Sequence, residues 1–411
     1  MSVRKRTWTS KGVEKSAWVV DYQDSQGVRR LKSFKLKKEA DAFAATAHVE
    51  VREGLHVADG ASASVNQAGK LWIAAKDRAG RERSTIDQYR QHLELHITPF
   101  IGDTRLNALT MPILRKFEDD LLDNGRSPAM VRKIVVSLGS LIADAQERGM
   151  VARNVVREMR GRRGTADNKA VKRAKGKLKV GVDIPSPAEI KAIVGALQGR
   201  WRPVLLTAIF TGLRASELRG LRWADVDLDR KVLHVRQRAD RYDDIGKPKS
   251  EAGEREVPLP PIVVNTLREW RLVCPRRDTG RKDGQGEPIR ELELVFPNGQ
   301  GRVESLGNMI NRGLIPAQKR AGVTVETGEV DEDGHLAVSA RYTGMHSMRH
   351  FYASWCINRP EDGGLGLPPK VVQERLGHAT INLTMDTYSH LFPRVESTDE
   401  LAAAQAVLLG K

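Results

Sequence analysis

Cysteine is scarce in this 411-residue chain, which has only Cys274 and Cys356. Their separation fits no disulfide framework and no metal-binding cysteine cluster. Aromatic residues make up 5%, too few to suggest a platform that stacks single-stranded bases. No apolar run approaches the length of a membrane span, so no membrane partner is expected. The start, MSVRKRTWTS, is charged, and no apolar stretch of the signal-peptide kind follows it. Acidic residues at metal-ligand spacing are also missing, so neither a metal nor a cofactor is expected. These absences suggest a cytoplasmic protein.

What the chain has in excess is positive charge. Lys plus Arg total 68 against 52 for Asp plus Glu, a formal net charge of +16. An imbalance of that size on a chain with 40% hydrophobic residues points to packed domains facing a polyanion. The low aromatic content makes duplex DNA the expected form. Two segments hold most of the excess. Residues 1–38 carry eleven basic residues against three acidic ones, and residues 160–180 carry nine against one.

The pattern along the chain divides it into domains at 1–58, 62–159 and 183–411, with a basic linker at 160–182. In the first, Trp18, Val20 and Tyr22 alternate as on a half-buried strand. A turn at Asp24–Gly27 leads to a second strand near Val28–Phe34. Lys37–Val51 then reads as a helix with Ala40, Phe43, Ala44 and Ala47 on one face. A small sheet backed by one helix would present Arg4, Lys5, Arg6, Arg29, Arg30 and Lys32 to DNA. Residues 55–63 read as a hinge. From Ser64 to Ala152 four helices are expected, one capped by Thr110 and one opened by Ser127-Pro128. In the linker, Arg162, Arg163, Lys172 and Arg173 are placed to follow a phosphate backbone.

The last domain is expected to mix helices with short strands. Ser186-Pro187-Ala188-Glu189 is a capping box, and helices should cover 201–210, 261–273, 305–320, 346–358, 369–376 and 380–390. Strands are expected at 231–237 and 255–259. Loops or small hairpins are expected at 275–293 and 322–340, the second of them acidic and facing away from DNA. The overall class is mainly α with small β elements, an α+β architecture.

Four short motifs stand out in that domain. They are Thr211-Gly212-Leu213-Arg214, Lys249-Ser250, His346-Ser347-Met348-Arg349, and Leu376-Gly377-His378 followed ten residues later by Tyr388. His346 and His350 stand at the i,i+4 spacing of a zinc site, but a zincin needs Glu after the first His and position 347 is Ser. His350 therefore reads as a structural histidine beside Arg349. Glu217 reads as a partner that holds the Arg214 region.

In this order, the motifs resemble the catalytic signature of the tyrosine recombinase (phage integrase) family: Arg, Lys, His-x-x-Arg, His or Trp, and a nucleophilic Tyr. Arg214, Lys249, His346, Arg349, His378 and Tyr388 fill all six positions, with Lys247 a rival for the lysine. Residues 64–155, including His96–Gly102, resemble the family's helical core-binding domain, and residues 1–55 its arm-binding domain. The last domain would then be the mixed α/β catalytic domain. The resemblance implies a DNA strand-transferase in which Tyr388 forms a 3′-phosphotyrosyl link. Arg214 and Arg349 would bind the non-bridging oxygens. Lys249 would protonate the leaving 5′ oxygen, and His346 and His378 would donate to the phosphate, with His346 assisting proton removal from Tyr388.

Of the other tyrosines, Tyr22 and Tyr89 fit buried faces, and Tyr242, Tyr342 and Tyr352 lack a preceding Leu-Gly-His. The implied partners are core-type and arm-type attachment sites, three further copies in a homotetramer, and an excisionase or DNA-bending protein. The implied task is integration or excision of a mobile element or prophage, by a bacterial or phage-encoded, nucleoid-associated protein. A type IB topoisomerase-like enzyme and a non-catalytic DNA-binding protein on the same scaffold are the alternatives. The apolar tail 400–409 would dock on a neighbouring protomer or on its own domain.

Overall fold

A computed structural model describes residues 1–10, 13–24, 27–53, 62–162, 177–330, 336–393 and 398–410. The chain divides into two compact units, Met1–Lys175 and Gly176–Lys411. The hinge expected at 55–63 lies mostly outside the described residues. So do Arg163, Lys172 and Arg173, and of Arg162 only the backbone is described.

The first unit opens on an antiparallel meander of β1 (Ser2–Ser10), β2 (Val13–Gln23) and β3 (Arg29–Phe34). The sequence signalled β2 and β3 but not β1, whose many charged and polar residues hide any alternation. Helix α1 (Lys37–Arg52) covers one face, where Val20, Tyr22 and Ala40 are buried with Val3, Trp18, Phe34 and Phe43 around them. The strand register settles which basic residues share a face. Val3 pairs with Val20, and Val20 with Lys32, so Lys5 and Lys32 belong to the helix side. Arg4, Arg6 and Arg29 belong to the open side.

The same unit holds a separate helical core. It is built by α2 (Val65–Arg78), α3 (Arg83–His92), α4 (Met111–Asp123), α5 (Pro128–Glu147) and α6 (Val155–Arg162). Ser127 accepts from the Met130 N–H and Ser64 completes a capping box with Gln67. Thr110 stands at the N-terminus of α4 but makes no side-chain cap. Helix α6 was not expected. Its Val156 and Met159 are buried in the bundle, and its two apolar anchors are outnumbered by the charges that made residues from 160 onward read as linker.

The second unit packs its core around α8 (Trp201–Thr211), which is buried along most of its length. Helix α7 (Pro187–Ala196) precedes it, opened by the expected Ser186–Glu189 capping box. After α9 (Ala215–Gly220) come β4 (Val226–Asp227), β5 (Val232–Val235), the hairpin of β6 (Arg238–Ala239) and β7 (Ile245–Gly246), and β8 (Arg255–Pro258). Strands β4, β5 and β8 form one small sheet. Helix α10 (Pro261–Val273) follows. Strands β9 (Arg277–Lys282) and β10 (Pro288–Glu291) pair antiparallel, as do β11 (Thr324–Val330) and β12 (Leu336–Ala340). Asp331, Glu332 and Asp333, between β11 and β12, lie outside the described residues.

Residues 306–320 form a helix whose middle, Met309–Leu314, widens to a π-turn. Three helices complete the working end: α11 (His346–Ile357), α12 (Pro369–Leu376) and α13 (Ile381–Tyr388). Tail helix α14 (Thr398–Leu409) leaves Leu401, Val407, Leu408 and Leu409 exposed. The architecture is α+β, mainly helical with small sheets. Among the described residues no helix is long and apolar enough to cross a membrane.

Candidate active site

The first, third and fourth motifs meet at the ends of α8, α11 and α12. Helix α8 stops at Gly212, which takes a left-handed conformation, φ +61°, and a Cβ there would lie 2.3 Å from the Tyr352 ring. Only glycine fits both demands. The turn releases the chain so that Arg214 begins α9. Helix α12 ends in the same way at Gly377, φ +62°, where a Cβ would sit 2.8 Å from Arg255 Nη1 and 2.9 Å from the Ala252 carbonyl oxygen. The glycines of the first and last motifs are thus both conformational and close-contact positions.

Each proposed phosphate-binding arginine is fastened to the other end of this region. Arg349 donates from Nη1 to the Gly212 carbonyl over 2.6 Å and from Nη2 to the Leu376 carbonyl. Arg214 donates from Nη2 to the Gly377 carbonyl over 3.0 Å and from Nη1 to Glu217 Oε1 over 2.7 Å. Glu217 is buried. Its carboxylate also accepts the Arg214 backbone N–H and two bonds from Arg255, at 3.2 Å and 2.9 Å. Arg255 itself is tied to the Arg375 carbonyl over 2.8 Å. The sequence singled out Glu217 as a holder of Arg214. Arg255 was missed, since an arginine opening a strand carries no signal until its partner is known.

Three guanidiniums around one carboxylate leave an excess of positive charge in a buried place. The physical response appears in the neighbours. Burial and then the charge of Arg214 lower the pKa of Arg349 to about 9. Burial, followed by Arg349 and Arg214, lowers His378 to about 3 and moves His346 downward as well. The Glu217 carboxyl stays below its usual range because the Arg255 and Arg214 charges outweigh its burial. Cations held at this density, with their histidines neutral, form a receptor for an anion.

Tyr388 closes α13 and is 1% exposed, packed among Tyr352, Ala353, Ile357, Val372 and Leu376. The His378 ring stacks parallel to it with centroids 6.5 Å apart, and His378 Nδ1 is held by Thr384 Oγ1 at 2.9 Å. The Tyr388 hydroxyl meets His350 Nδ1 at 2.7 Å. His346 packs edge-on against His350, centroids 4.5 Å apart, at the start of α11. His350 therefore does more than brace Arg349, and its contact with Tyr388 was invisible in a sequence where the two stand 38 positions apart. Burial raises the Tyr388 hydroxyl to about 12 and, with His346 and Arg349, lowers His350 to about 4. The proton between them rests on the phenol.

Lys247 and Lys249 both lie on the exposed stretch between β7 and β8. The hairpin before them is anchored by buried Arg219, which donates to the Asp240 carbonyl over 2.6 Å and pairs with Asp243. In the N-terminal sheet, Arg4 and Arg29 share the carboxylate of Asp21 at 3.3 Å and 2.6 Å. Arg30 pairs with Asp24 at 2.8 Å, and Lys32 sits 4.3 Å from the Phe43 ring centroid. Lys5 and Arg6 are exposed.

Residues 186–394 match the family model described as the phage integrase family. The chain is 27% identical over 398 residues to a protein called tyrosine recombinase XerC-like from Caldanaerobacter subterraneus subsp. tengcongensis, covering 90% of this chain and 91% of that one. It is 27% identical over 217 residues to the prophage integrase IntR of Escherichia coli, covering 49% of this chain and 46% of that one. Among solved structures, the Tn1549 transposon integrase in complex with a circular intermediate DNA superposes with a TM-score of 0.59. That comparison is at 19% identity and spans 84% of this chain and all of the other. A lambda integrase tetramer bound to a Holliday junction gives 0.53 at 16% identity, over 95% of this chain and 98% of that one.

Proposed function

The chain belongs to the phage integrase family of DNA breaking and rejoining enzymes, and we propose that this site-specific recombinase works through a 3′-phosphotyrosyl intermediate on Tyr388. The observation that carries the reading is the convergence of Arg214, Arg349, His346, His378 and Tyr388 on the junction of α8, α11 and α12. The Tyr388 oxygen attacks the scissile phosphorus, the bond from phosphorus to the 5′ oxygen breaks, and the phenolic proton departs. Lys249 supplies a proton to the 5′ oxygen, and its exposed position suits that task. The ester keeps the bond energy, so the reverse steps reseal the strand with no cofactor.

Arg214 and Arg349 stabilise the charge that develops on the non-bridging oxygens. Their bonds to the Gly377, Gly212 and Leu376 carbonyls fix them before DNA arrives, so little reorganisation opposes the reaction. His346 and His378, neutral in this field, donate to the same oxygens. Tyr388 is covered in the free protein, so seating of the DNA must accompany its exposure.

The DNA partners are core-type sites read by the second unit and the helical bundle, and arm-type sites read by the N-terminal sheet. Candidate contacts there are Arg4, Lys5, Arg6, Arg29, Arg30 and Lys32, together with Arg162, Arg163, Lys172 and Arg173 of the basic segment. A homotetramer is the working assembly, with an excisionase or DNA-bending protein setting direction. The exposed Leu401, Val407, Leu408 and Leu409 support docking of the tail on a neighbouring copy. The task is integration or excision of a mobile element or prophage.

A nicked suicide duplex carrying the attachment site tests the mechanism. The wild-type chain should accumulate a covalent protein–DNA adduct and Tyr388→Phe should form none. An undiminished adduct with Tyr388→Phe would remove Tyr388 from the mechanism.

A further inference from the structure

We propose that His350 is a further catalytic residue, which orients the Tyr388 hydroxyl and accepts its proton as the tyrosine oxygen bonds to phosphorus. The inference rests on Tyr388 being the nucleophile. It departs from the assignment of proton removal to His346, because the hydroxyl meets the ring of His350 and not that of His346.

The geometry is specific. Tyr388 is 1% exposed, so its hydroxyl has no ready access to bulk water as a proton acceptor. The polar atom that reaches it is His350 Nδ1, at 2.7 Å, within the reach required of a general base. The two rings lie at 64°, centroids 5.8 Å apart, as expected for an imidazole meeting the phenol at its oxygen end. His350 stands on α11 one residue after Arg349, whose side chain is pinned at two carbonyls. The acceptor is therefore fixed to the same rigid turn as the phosphate-binding arginine.

The proton count closes within the chain. The O–H bond of Tyr388 breaks as an N–H bond forms at His350 Nδ1. The oxygen–phosphorus bond forms, the bond to the 5′ oxygen breaks, and that oxygen takes a proton from Lys249. At rest, burial together with the Arg349 charge keeps His350 neutral, so it is ready to accept. An arriving phosphate anion offsets the arginine charge and raises the basicity of the imidazole. Proton transfer is thereby tied to DNA occupancy.

Single-turnover cleavage of the nicked suicide duplex by the full chain decides this. His350→Asn keeps a hydrogen-bonding atom near the Nδ1 position but cannot take the proton, and His350→Ala removes both functions. Both variants should form adduct about 10²-fold or more slowly, with duplex affinity within twofold of wild type. Added imidazole should restore part of the rate to His350→Ala, a recovery that a merely structural role would not give. A substrate with sulfur in place of the 5′ bridging oxygen should rescue Lys249→Ala but leave the His350 variants slow.

Should His350→Ala fail to fold, His350→Asn decides alone. Wild-type cleavage by His350→Asn overturns the proposal, as does rescue of that variant by the sulfur substrate. If Tyr388→Phe still forms adduct, the nucleophile assignment fails first. If Tyr388→Phe is inert while His350→Asn is fully active, only the role of His350 fails.

Discussion

The Arg349 guanidinium donates to the Gly212 carbonyl over 2.6 Å, across 137 residues of chain. That bond joins the third motif to the first, and Arg214 answers it with a bond to the Gly377 carbonyl of the fourth. Both acceptors belong to glycines in the left-handed region. The glycine turns thus expose two helix-end carbonyls at the position where the arginines need an anchor. The consequences can be measured.

Gly212→Ala should destabilise the protein by more than the ~1–2 kcal/mol of a left-handed non-glycine residue, because its Cβ also strikes the Tyr352 ring. Gly363, φ +77°, has nothing within 4 Å of an added Cβ, so Gly363→Ala should show the conformational cost alone. Equal denaturant midpoints for the two variants would contradict this account.

Glu217→Gln leaves Arg214 and Arg255 without their shared carboxylate. Loss of one partner from a buried pair costs about 3–5 kcal/mol, and chemical unfolding should register a loss of that order. A change below 1 kcal/mol would mean that the arginines re-pair elsewhere.

Lysine cannot keep the two separate bonds that hold Arg349, nor present a planar fork to phosphate. Arg349→Lys and Arg214→Lys should each slow adduct formation about 10²–10³-fold with duplex affinity largely kept. If binding falls in step with cleavage, that arginine is structural.

The pH dependence of stability has a definite sign. His378 and His350 have folded pKa values of about 3 and 4, below the ordinary value of 6.5. The unfolded chain therefore binds protons first as pH falls, and stability should decline from about pH 6.5 toward pH 4. His92 and His96 of the first unit shift in the same direction. The comparison is thus the slope of melting temperature against pH in wild type and in His378→Gln, which should be shallower. An identical slope would remove His378 from the effect.

In the N-terminal sheet, Asp21 occupies both Arg4 and Arg29. Asp21→Asn should release them and tighten arm-site binding, while Arg6→Ala should weaken it and reduce the slope of log affinity against log salt by about one. Titrations at several salt concentrations distinguish these from a sheet that does not touch DNA, for which neither variant would move the slope.

Much of this was legible before any fold. Helices with clear apolar stripes and capping residues, such as 128–147 and 187–196, followed from local chemistry. The choice of Arg214, Arg349, His378 and Tyr388 came from the resemblance to the family signature, since a fixed order of motifs survives in a linear chain. What escaped had charge in place of periodicity. Strand β1 is nearly all exposed, and α6 has two buried anchors among basic residues.

The sequence by itself determined the helical class, the basic segments and the glycine turns, because each depends on neighbours within a few residues, and the family signature, because the order of its motifs is written along the chain. Only the tertiary structure decided that Arg255 completes the grip on Glu217 and that the Tyr388 hydroxyl rests on His350. Those pairings join residues 38 positions apart in both cases. They exist because α9 meets β8 and α11 meets α13. Burial there removes water as a competitor, and so makes the charge of one side chain the condition under which another holds its proton.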